Sequence, residues 1–345
     1  MGTQFEQGHA CIIGIGGDLP NTTTDALALA SVLKDPGSCA YPPEQVQVLT
    51  AETATRDNVI QALEALASQT NDDSTVLIYF SGHGYQLSSS FVDSYHLLCH
   101  GYSTQNLKGT AVSGSEFTEL LRDIPAKKLL VILDCCHAGG LSDLSDFQIA
   151  KSPLPPEAKK MFSKGDGRII IGSSHAEELS YGGKPYSAFT HALLQGLYGE
   201  GTTKKDGYVR AMDLAMYTSR IVPTLTEDKQ HPVLDIDKAD NFVLAYYAGG
   251  DPQPKGLPPE LARPPQIEST PSELSSNITQ TTASGPGSVA IGGSAQGATI
   301  TTGSHNTVGS YNVNQQGKYN INIGSTREES TINIGDTQMG DQKGE

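Results

Sequence analysis

VLIYFSGHG, at residues 76–84, and LLVILDCCHAGG, at residues 129–140, are the two stretches that decide the fold of this chain. Each starts with a run of apolar residues that suits a buried strand, and each ends in glycines and polar residues. In a parallel sheet covered by helices, the loops after neighbouring strands meet in one crevice. The two stretches therefore predict that His83 and a cysteine of the second stretch lie together at one edge of such a sheet.

Apolar runs and helical patterns alternate along most of the chain and extend this prediction outward. We expect further strands at 11–16, 46–49, 95–99, 168–172 and 233–236, and helices at 24–33, 55–67, 116–122, 186–197 and 209–221. Thr55 is the predicted N-cap of the second helix, and the threonines at 22–24 are capping candidates for the first. Strands that alternate with helices indicate an α/β fold whose mostly parallel sheet carries helices on both faces.

The composition of the chain changes after Ala248, which sets the expected domain boundaries. Residues 1–248 read as one α/β domain, residues 249–273 as a Pro-rich extended linker, and residues 274–345 as a low-complexity tail. No Asp, Glu, Lys or Arg occurs from 274 to 317, and the hexapeptide YNINIG at 319–324 is echoed by STINIG at 330–335. Three interpretations of this β-prone tail stay open: a disordered extension, a self-assembling β-motif or a small folded β-solenoid.

Charge and cysteine content limit the partners and the compartment. The formal net charge of −15 argues against nucleic acid or an anionic membrane as the main partner. No apolar run approaches the roughly 20 residues of a membrane span, and the first residues lack the basic start and apolar core of a signal peptide. The five cysteines are odd in number and show neither a disulfide framework nor a CxxC zinc pattern. We therefore expect a cytoplasmic protein.

The two decisive stretches carry an imidazole and thiols suited to nucleophilic catalysis. A neutral imidazole takes a proton from a thiol and later gives one to a leaving amine. We expect the glycines beside His83 to let the backbone bend sharply, and the Gly84 N–H to point at a developing oxyanion. The alternative is a core histidine that caps a strand.

Two adjacent thiols compete for the role of nucleophile. Cys135 directly follows Asp134 and could point back into the sheet as a small apolar residue. Cys136 lies further into the turn, where we expect a helix to begin, and a helix N-terminus lowers the pKa of a thiol. We favour Cys136. A zinc site made of both cysteines, His83 and His137 is the metal alternative, although adjacent cysteines chelate zinc poorly.

These motifs resemble those of a known family. Residues 79–84 and 134–139 look like the two signatures of caspase-like cysteine peptidases, the metacaspase branch in particular. Residues 173–181 and 189–194 resemble that family's smaller-subunit segment, so the resemblance covers about residues 8–247. It implies a caspase-like sheet, a cysteine endopeptidase activity and a catalytic dyad of His83 and Cys136.

The resemblance also implies a polypeptide substrate with Arg or Lys immediately before the cut. Metacaspases hold this side chain in an acidic pocket, whose matching positions here are Asp25, Ser81 and Asp134. Carboxylates in a partly dry pocket bind a cation strongly, and a guanidinium bidentately. True caspases need basic pocket residues instead, and no arginine lies near either motif. The alternatives are a helix cap for Asp25 and a structural strand-end carboxylate for Asp134.

Many metacaspases bind calcium through a cluster of aspartates. Asp143 matches one member of that cluster, whereas residues 99–102, where two further aspartates would align, contain none. We expect no required cofactor and leave calcium open.

Two segments outside the motifs suggest regulation. The loop at 141–167 is basic and contains prolines, and we expect any self-cleavage at Lys151, Lys159, Lys160, Lys164 or Arg168. The tail repeats look similar to amyloid-like signalling segments of microbial immune-type proteins, so residues 319–340 would bind a protein partner or another copy of the chain. The alternative to an active enzyme is a catalytically silent caspase-like scaffold that acts through its tail.

Overall fold

The computed structural model describes residues 3–88, 93–137, 167–175, 178, 180–237 and 239–267, together with short strands between 289 and 336. At 86–88, 93–94, 136–137 and 237, and in the strands after 267, the description covers the backbone alone. Contacts divide the chain into two compact units, Met1–Glu268 and Ser269–Glu345.

A mixed sheet runs through the first unit. In chain order, the strands of this unit are β1 (Gly8–Gly14), β2 (Val46–Thr50), β3 (Thr75–Ser88), β4 (Asp93–Leu98), β5 (Ala111–Ser113), β6 (Lys128–His137), β7 (Arg168–Gly172), β8 (Gly183–Lys184), β9 (Tyr208–Arg210), β10 (Val233–Asp237), β11 (Val243–Tyr246) and β12 (Gln266–Ile267). Side by side, the main sheet follows the order β10-β7-β6-β3-β1-β2, and β4 joins β3 to β5. The pairs from β7 to β2 are parallel and β10 is antiparallel to β7. The predicted mostly parallel sheet is confirmed.

Helices cover both faces of this sheet. They are α1 (Pro20–Lys34), α2 (Arg56–Gln69), α3 (Leu107–Thr110), α4 (Gly114–Asp123), α5 (Ala188–Leu197) and α6 (Ala211–Leu225), with short 3-10 turns at Pro43–Gln45, Ala51–Thr53 and Thr104–Asn106. One apolar core joins α1, α5 and α6 to the sheet, and a second joins α2 and α4 to the other face. Within the described ranges, no helix combines the length and the hydropathy needed to cross a membrane.

The first two helices begin in different ways. The Thr55 hydroxyl accepts a hydrogen bond from Asn58 N at 3.5 Å, which confirms the predicted N-cap of α2. α1 begins earlier than predicted, with Pro20 in its first turn, and its N-cap residue makes no side-chain hydrogen bond. The Thr22 hydroxyl, a predicted cap, instead donates to the Leu19 carbonyl oxygen at 2.7 Å. Proline suits this position because it has no N–H that would need a partner.

Alternation along the two central strands decides which polar residues share a face. On β3, Tyr79 belongs to the core of α1, α5 and α6, whereas Phe80 belongs to the core of α2 and α4. On β6, Ile132 belongs to the first of these cores and Leu133 to the second. Because successive positions of a strand alternate between faces, positions 81, 83, 134 and 136 continue on the α1–α5–α6 face.

The segment at 249–267, which the sequence predicts as a linker, packs against the first unit. Leu261 is 2% exposed and belongs to the α1–α5–α6 core. The Gln195 side-chain amide donates to the Leu261 carbonyl oxygen at 2.8 Å, and β12 pairs with β8 in the antiparallel sense. Prolines keep this segment extended, but an extended chain can still bury an apolar side chain and pair with a strand edge. The first unit therefore reaches Glu268 rather than ending at the predicted residue 248.

The second unit contains short antiparallel strand pairs. They are β13 (Val289–Gly292) with β14 (Thr299–Thr302), β15 (Val308–Gly309) with β16 (Asn312–Val313), and β17 (Tyr319–Ser325) with β18 (Ser330–Asp336). The last pair carries the two repeats, and its register places Ile321 opposite Ile334 and Ile323 opposite Ile332. By this register, the four isoleucine positions share one face of the pair.

Candidate active site

Both decisive motifs lie inside strands rather than beyond their ends. β3 continues through its motif to Ser88, and β6 continues to His137. The predicted sharp bend at Gly82 and Gly84 is wrong, because neither residue has a positive φ and both stay paired with β6. The predicted turn at Cys136 is wrong as well, since the backbone is still a strand there, and most of the helix start expected at 137–139 lies outside the described residues.

Close packing explains the two glycines instead. A Cβ atom at Gly82 would lie 2.9 Å from the side chain of Ile15, which follows β1. A Cβ atom at Gly84 would collide with the hydroxyl group of Tyr95 in β4. The glycines on either side of His83 therefore let neighbouring chain segments approach β3 without forcing a side chain between them.

The register of β3 and β6 brings the two predicted catalytic residues to the same level. His83 lies opposite Cys136, and two residues earlier Ser81 lies opposite Asp134. Positions opposite each other in neighbouring strands share a face of the sheet, here the α1–α5–α6 face. The structure describes Cys136 through its backbone, so the register is what locates this residue.

The imidazole of His83 is buried and held from one side. Its side chain is 4% exposed, and its Nε2 atom lies 2.8 Å from Asp18 Oδ2. Its Nδ1 atom is buried and has no hydrogen-bond partner among the side chains that the structure describes. The ring of Tyr102 stands edge-on to the imidazole, with 6.2 Å between the ring centroids. One ring nitrogen thus contacts a carboxylate, and the other makes no hydrogen bond to a described side chain.

Asp18 is a site residue that the sequence analysis does not find. It lies in the loop between β1 and α1, where Gly16 and Gly17 have φ angles of 62° and 66°. The hydrogen bond from His83 lowers the pKa of the Asp18 carboxyl group, which is therefore ionised at neutral pH. The one available signal is the place of its loop, because the loops that follow parallel strands open at the same edge of the sheet.

Cys135 lies on the other face of the sheet. Its side chain is 5% exposed and belongs to the α2–α4 core, as the small apolar residue of one interpretation would. Burial raises the pKa of its thiol to about 12, so the thiol stays protonated at neutral pH. Because the sheet separates Cys135 from the face of His83, the two cannot bind one zinc ion, and the zinc alternative is wrong.

Two of the predicted pocket residues form a buried acidic pair. Asp25 and Asp134 are each 1% exposed, as is Ser81 opposite Asp134. Burial and then the charge of Asp134 raise the pKa of Asp25 to about 7, and burial also raises the pKa of Asp134. Asp25 lies inside α1 rather than at its start, so the helix-cap alternative is wrong.

Hydroxyl groups that the sequence analysis does not assign to the site surround these two carboxylates. Ser187, the N-cap of α5, donates through its N–H to Asp25 Oδ1 at 3.1 Å and through its hydroxyl to Asp134 Oδ2 at 3.3 Å. The Ser180 hydroxyl donates to Asp134 Oδ1 at 2.8 Å and accepts a bond from the Gln230 amide at 3.2 Å. These bonds occupy lone pairs that burial would otherwise leave without a partner. The sequence can show that a serine before a helix is an N-cap, but it cannot show that this serine also donates hydrogen bonds to two distant aspartates.

The remaining predicted features contribute differently from what the sequence suggests. Gly84 lies between two strands, opposite His137 in β6 and Leu97 in β4, and the oxyanion role of its N–H stays a prediction.

Arg168, a predicted self-cleavage site, is 6% exposed and donates to the Leu121 carbonyl oxygen at 2.8 Å. Arg168 lies at the start of β7 rather than in an exposed loop, so the expected exposure of this residue is wrong.

Metal binding has no support in the part of the chain that the structure covers. Among the described residues, no group of three or more His, Cys, Asp or Glu side chains is arranged to hold a metal ion. Asp143, the calcium candidate, and Lys151, Lys159, Lys160 and Lys164 lie outside the described residues.

A mostly parallel α/β sheet thus carries a buried histidine opposite a cysteine, and a buried acidic pair lies next to them. The sequence model of the caspase domain matches residues 7–243, and the chain belongs to this family.

Individual proteins that resemble this chain share less than 30% sequence identity with it. A probable protease of a Desulfuromonadales bacterium is 27% identical over 191 residues, which are 55% of this chain and 22% of that protein. Metacaspase-6 of Arabidopsis thaliana is 28% identical over 134 residues, which are 38% of this chain and 34% of that protein. Among solved structures, caspase-1 of Spodoptera frugiperda is 18% identical, with a TM-score of 0.39 over 68% of this chain and 89% of that chain. The matched part of this chain spans less than half the length of the two curated relatives.

Proposed function

We propose that this protein is a cysteine endopeptidase that cleaves polypeptides after Arg or Lys, with Cys136 as the nucleophile and His83 as the acid–base group. The observation that carries the proposal is the register that sets His83 opposite Cys136. Membership of the caspase family supports peptidase chemistry. Because Cys135 lies in the opposite core, Cys136 is the one of the two adjacent cysteines whose strand position is on the face of the histidine.

The proposed reaction forms a thioester between Cys136 and the substrate and then hydrolyses it. The Cys136 thiol gives its proton to His83, and the thiolate attacks the carbonyl carbon, so that a C–S bond forms and the carbonyl electron pair moves to oxygen. The N–H groups of Gly84 and Cys136 stabilise this oxyanion. His83 then gives the proton to the leaving amine as the C–N bond breaks. Water attacks the thioester with His83 as the base, and the departing thiolate takes the proton back.

The acidic pair accounts for the proposed specificity. Two buried carboxylates repel each other and lack hydration, and a cationic side chain relieves both costs. A guanidinium group can also replace the serine hydroxyls as a hydrogen-bond donor to Asp25 and Asp134. Both carboxylates are closed to solvent in this structure. A substrate side chain would therefore reach them after the loop that carries Ser180 and Ser187 has moved.

The wider setting is part of the same proposal. The enzyme would act in the cytoplasm without a required cofactor, with calcium binding near Asp143 left open. It would cut itself within residues 141–167, and residues 319–340 would bind a partner or another copy. The cysteines whose side chains are described are free thiols, which suits a reducing compartment. The rival function, a silent caspase-like scaffold, gives no reason for a histidine and a cysteine to share one register position.

A peptidyl chloromethyl ketone that carries Arg tests the activity and the nucleophile together. We expect it to label wild-type protein and Cys135→Ala, and to leave Cys136→Ala unlabelled. Loss of the nucleophile should lower kcat for an Arg peptide by about 10⁴-fold or more, whereas Cys135→Ala should keep most of its activity.

The same reagent with Asp in place of Arg is the matched control for specificity, and it should react far more slowly. Labelling at Cys135, or full turnover by Cys136→Ala, would refute the nucleophile. Faster labelling by the Asp reagent would refute the acidic pocket. A wild-type protein that neither reacts nor cleaves would favour the scaffold.

A further inference from the structure

The hydrogen bond between Asp18 and His83 determines which ring nitrogen carries the hydrogen. An ionised carboxylate can only accept, so Nε2 of His83, 2.8 Å from Asp18 Oδ2, must be the donor. A neutral imidazole has one N–H, and its lone pair is then at Nδ1. That atom is buried and has no partner among the described side chains.

The surroundings of His83 leave Nδ1 for the nucleophile. Among the described side chains, the titratable groups seen against the ring are those of Asp18 and Tyr102, and the strand register places Cys136 opposite His83. Burial raises the pKa of Tyr102 to about 12, so its hydroxyl carries no charge at neutral pH. Asp18 is therefore the one negative charge that this set of groups supplies to the imidazole before the thiol ionises.

The loop that carries Asp18 is fixed at both ends. The Gly16 N–H donates to the Thr22 hydroxyl at 2.9 Å, and that hydroxyl donates to the Leu19 carbonyl oxygen at 2.7 Å. The Ile15 N–H donates to the Ser81 carbonyl oxygen at 3.1 Å, which ties the loop to β3 two residues before His83. The carboxylate therefore keeps its place although 50% of the Asp18 side chain is exposed.

We infer that Asp18 is a positioning residue of the peptidase reaction, which holds His83 with Nε2–H towards the carboxylate and Nδ1 towards the Cys136 thiol. This inference rests on the proposed function. When the proton moves from the Cys136 sulfur to Nδ1, the ring becomes an imidazolium with hydrogen on both nitrogens, and the Asp18 carboxylate stabilises that charge without taking a proton. Proton return to the leaving amine restores the starting tautomer.

Asp18→Asn tests this role, and Asp228→Asn is its matched control. Asp228 Oδ1 lies 3.0 Å from Nε2 of His231, so the control removes the same kind of contact from a different histidine, at an exposed carboxylate. We expect Asp18→Asn to lower kcat for an Arg peptide roughly 10- to 100-fold, with KM changed less than about twofold. Asp18→Glu, which keeps the charge, should restore part of the rate.

Nuclear magnetic resonance of the full chain with ¹⁵N-labelled histidine measures the tautomer of the His83 ring independently of catalysis. His83→Gln assigns the signal of His83 among the 9 histidines. Wild-type protein should show the Nε2–H tautomer, Asp18→Asn a mixture of the two tautomers, and Asp228→Asn no change at His83. Unchanged kcat in Asp18→Asn, or an Nδ1–H tautomer in the wild type, would overturn the inference. A wild-type chain without peptidase activity would overturn the proposed function instead. The tautomer comparison would still decide whether Asp18 determines which nitrogen of the His83 ring carries the hydrogen.

Discussion

Asp25 and Asp134 hold two carboxylates where neither is hydrated, and this arrangement opposes folding. Burial and the charge of Asp134 raise the pKa of Asp25 from 3.8 to about 7. Between these pH values, the folded protein keeps a proton that the unfolded chain releases. The free energy of unfolding therefore falls as the pH rises through this window, and the loss is complete above the folded pKa. A buried pair of carboxylates that lowers the free energy of unfolding in this way is typical of a site that binds a positively charged ligand.

Asp25→Asn should stabilise the protein while it impairs the proposed activity. An asparagine keeps an oxygen for the Ser187 N–H but buries no charge. A shift of roughly three pKa units corresponds to at most about 4 kcal/mol, so the Tm of the variant should exceed that of the wild type at pH 8 and approach it at pH 5. Cleavage after Arg should lose on the order of 2–5 kcal/mol of transition-state binding, because the guanidinium loses one partner. Thermal unfolding at both pH values and kcat/KM for an Arg peptide measure the two effects.

Asp240→Asn is the control for this pair of measurements, since Asp240 is exposed and the substitution removes the same charge. Neither its Tm nor its kcat/KM should change. A Tm gain in Asp25→Asn that is equal at pH 5 and pH 8 would contradict the raised pKa of Asp25. Undiminished cleavage after Arg would remove Asp25 from the pocket.

Candidate site residues could be selected from the sequence where a short motif carries them. His83 stands in a Gly-His-Gly sequence, and Asp134 lies two residues before Cys136, so a local window is sufficient to select them. Asp18 and Ser187 are different, because their roles depend on hydrogen bonds to residues 65 and 162 positions away in the chain. No pattern around either residue encodes such a partner.

At the level of elements, the sequence predicts where strands exist better than where they end. The apolar runs at 76–80 and 129–133 give the cores of β3 and β6, but the strands continue to Ser88 and His137. The polar, glycine-rich ends of both strands stay extended because β3 and β6 remain paired with each other up to Gly84 and His137. On its other side, β3 pairs with β4 from Gly84 onward. A sequence window shows the glycines, which favour a turn, and does not show the neighbouring strands that prevent one.

The segment at 249–267 escaped prediction for a related reason. Its prolines correctly indicate an extended backbone. Its attachment depends on one buried leucine and a strand of two residues, which are too short to produce a periodic pattern.

Leu261→Ala measures whether this segment contributes to the stability of the first unit. Removal of a leucine side chain that is 2% exposed should cost roughly 2–4 kcal/mol and lower the Tm of the full chain by about 5–10 °C. Leu27→Ala is the matched control, because Leu27 is 50% exposed and the same atoms are lost without a cavity. It should shift the Tm by less than about 2 °C. Equal Tm values for Leu261→Ala and the wild type would mean that the segment is the detached linker that the sequence predicts.

At the level of the whole molecule, the two units differ in what can stabilise them. The first has an apolar core on each face of its sheet. The second has strand pairs of 2 to 7 residues, and an isolated two-stranded pair is marginally stable in water. Its repeats place Ile321, Ile323, Ile332 and Ile334 on one face by register. That face would be buried if the pair stacked on another copy of itself, which would also pair the open strand edges.

Ile323→Ser combined with Ile334→Ser should therefore prevent assembly through the tail. We expect the full chain carrying Cys136→Ala, which cannot cut itself, to form β-rich assemblies that bind an amyloid dye, and the isoleucine variant to sediment as a smaller species. Asn322→Ser with Asn333→Ser is the matched control, because these residues are paired in the same register on the opposite face and contribute no apolar surface. It should still assemble. The isoleucine changes, made in a chain with an intact Cys136, should leave cleavage of short Arg peptides unchanged, since the predicted catalytic residues all belong to the first unit. A parent chain that stays monomeric at high concentration would refute self-assembly and support a disordered extension.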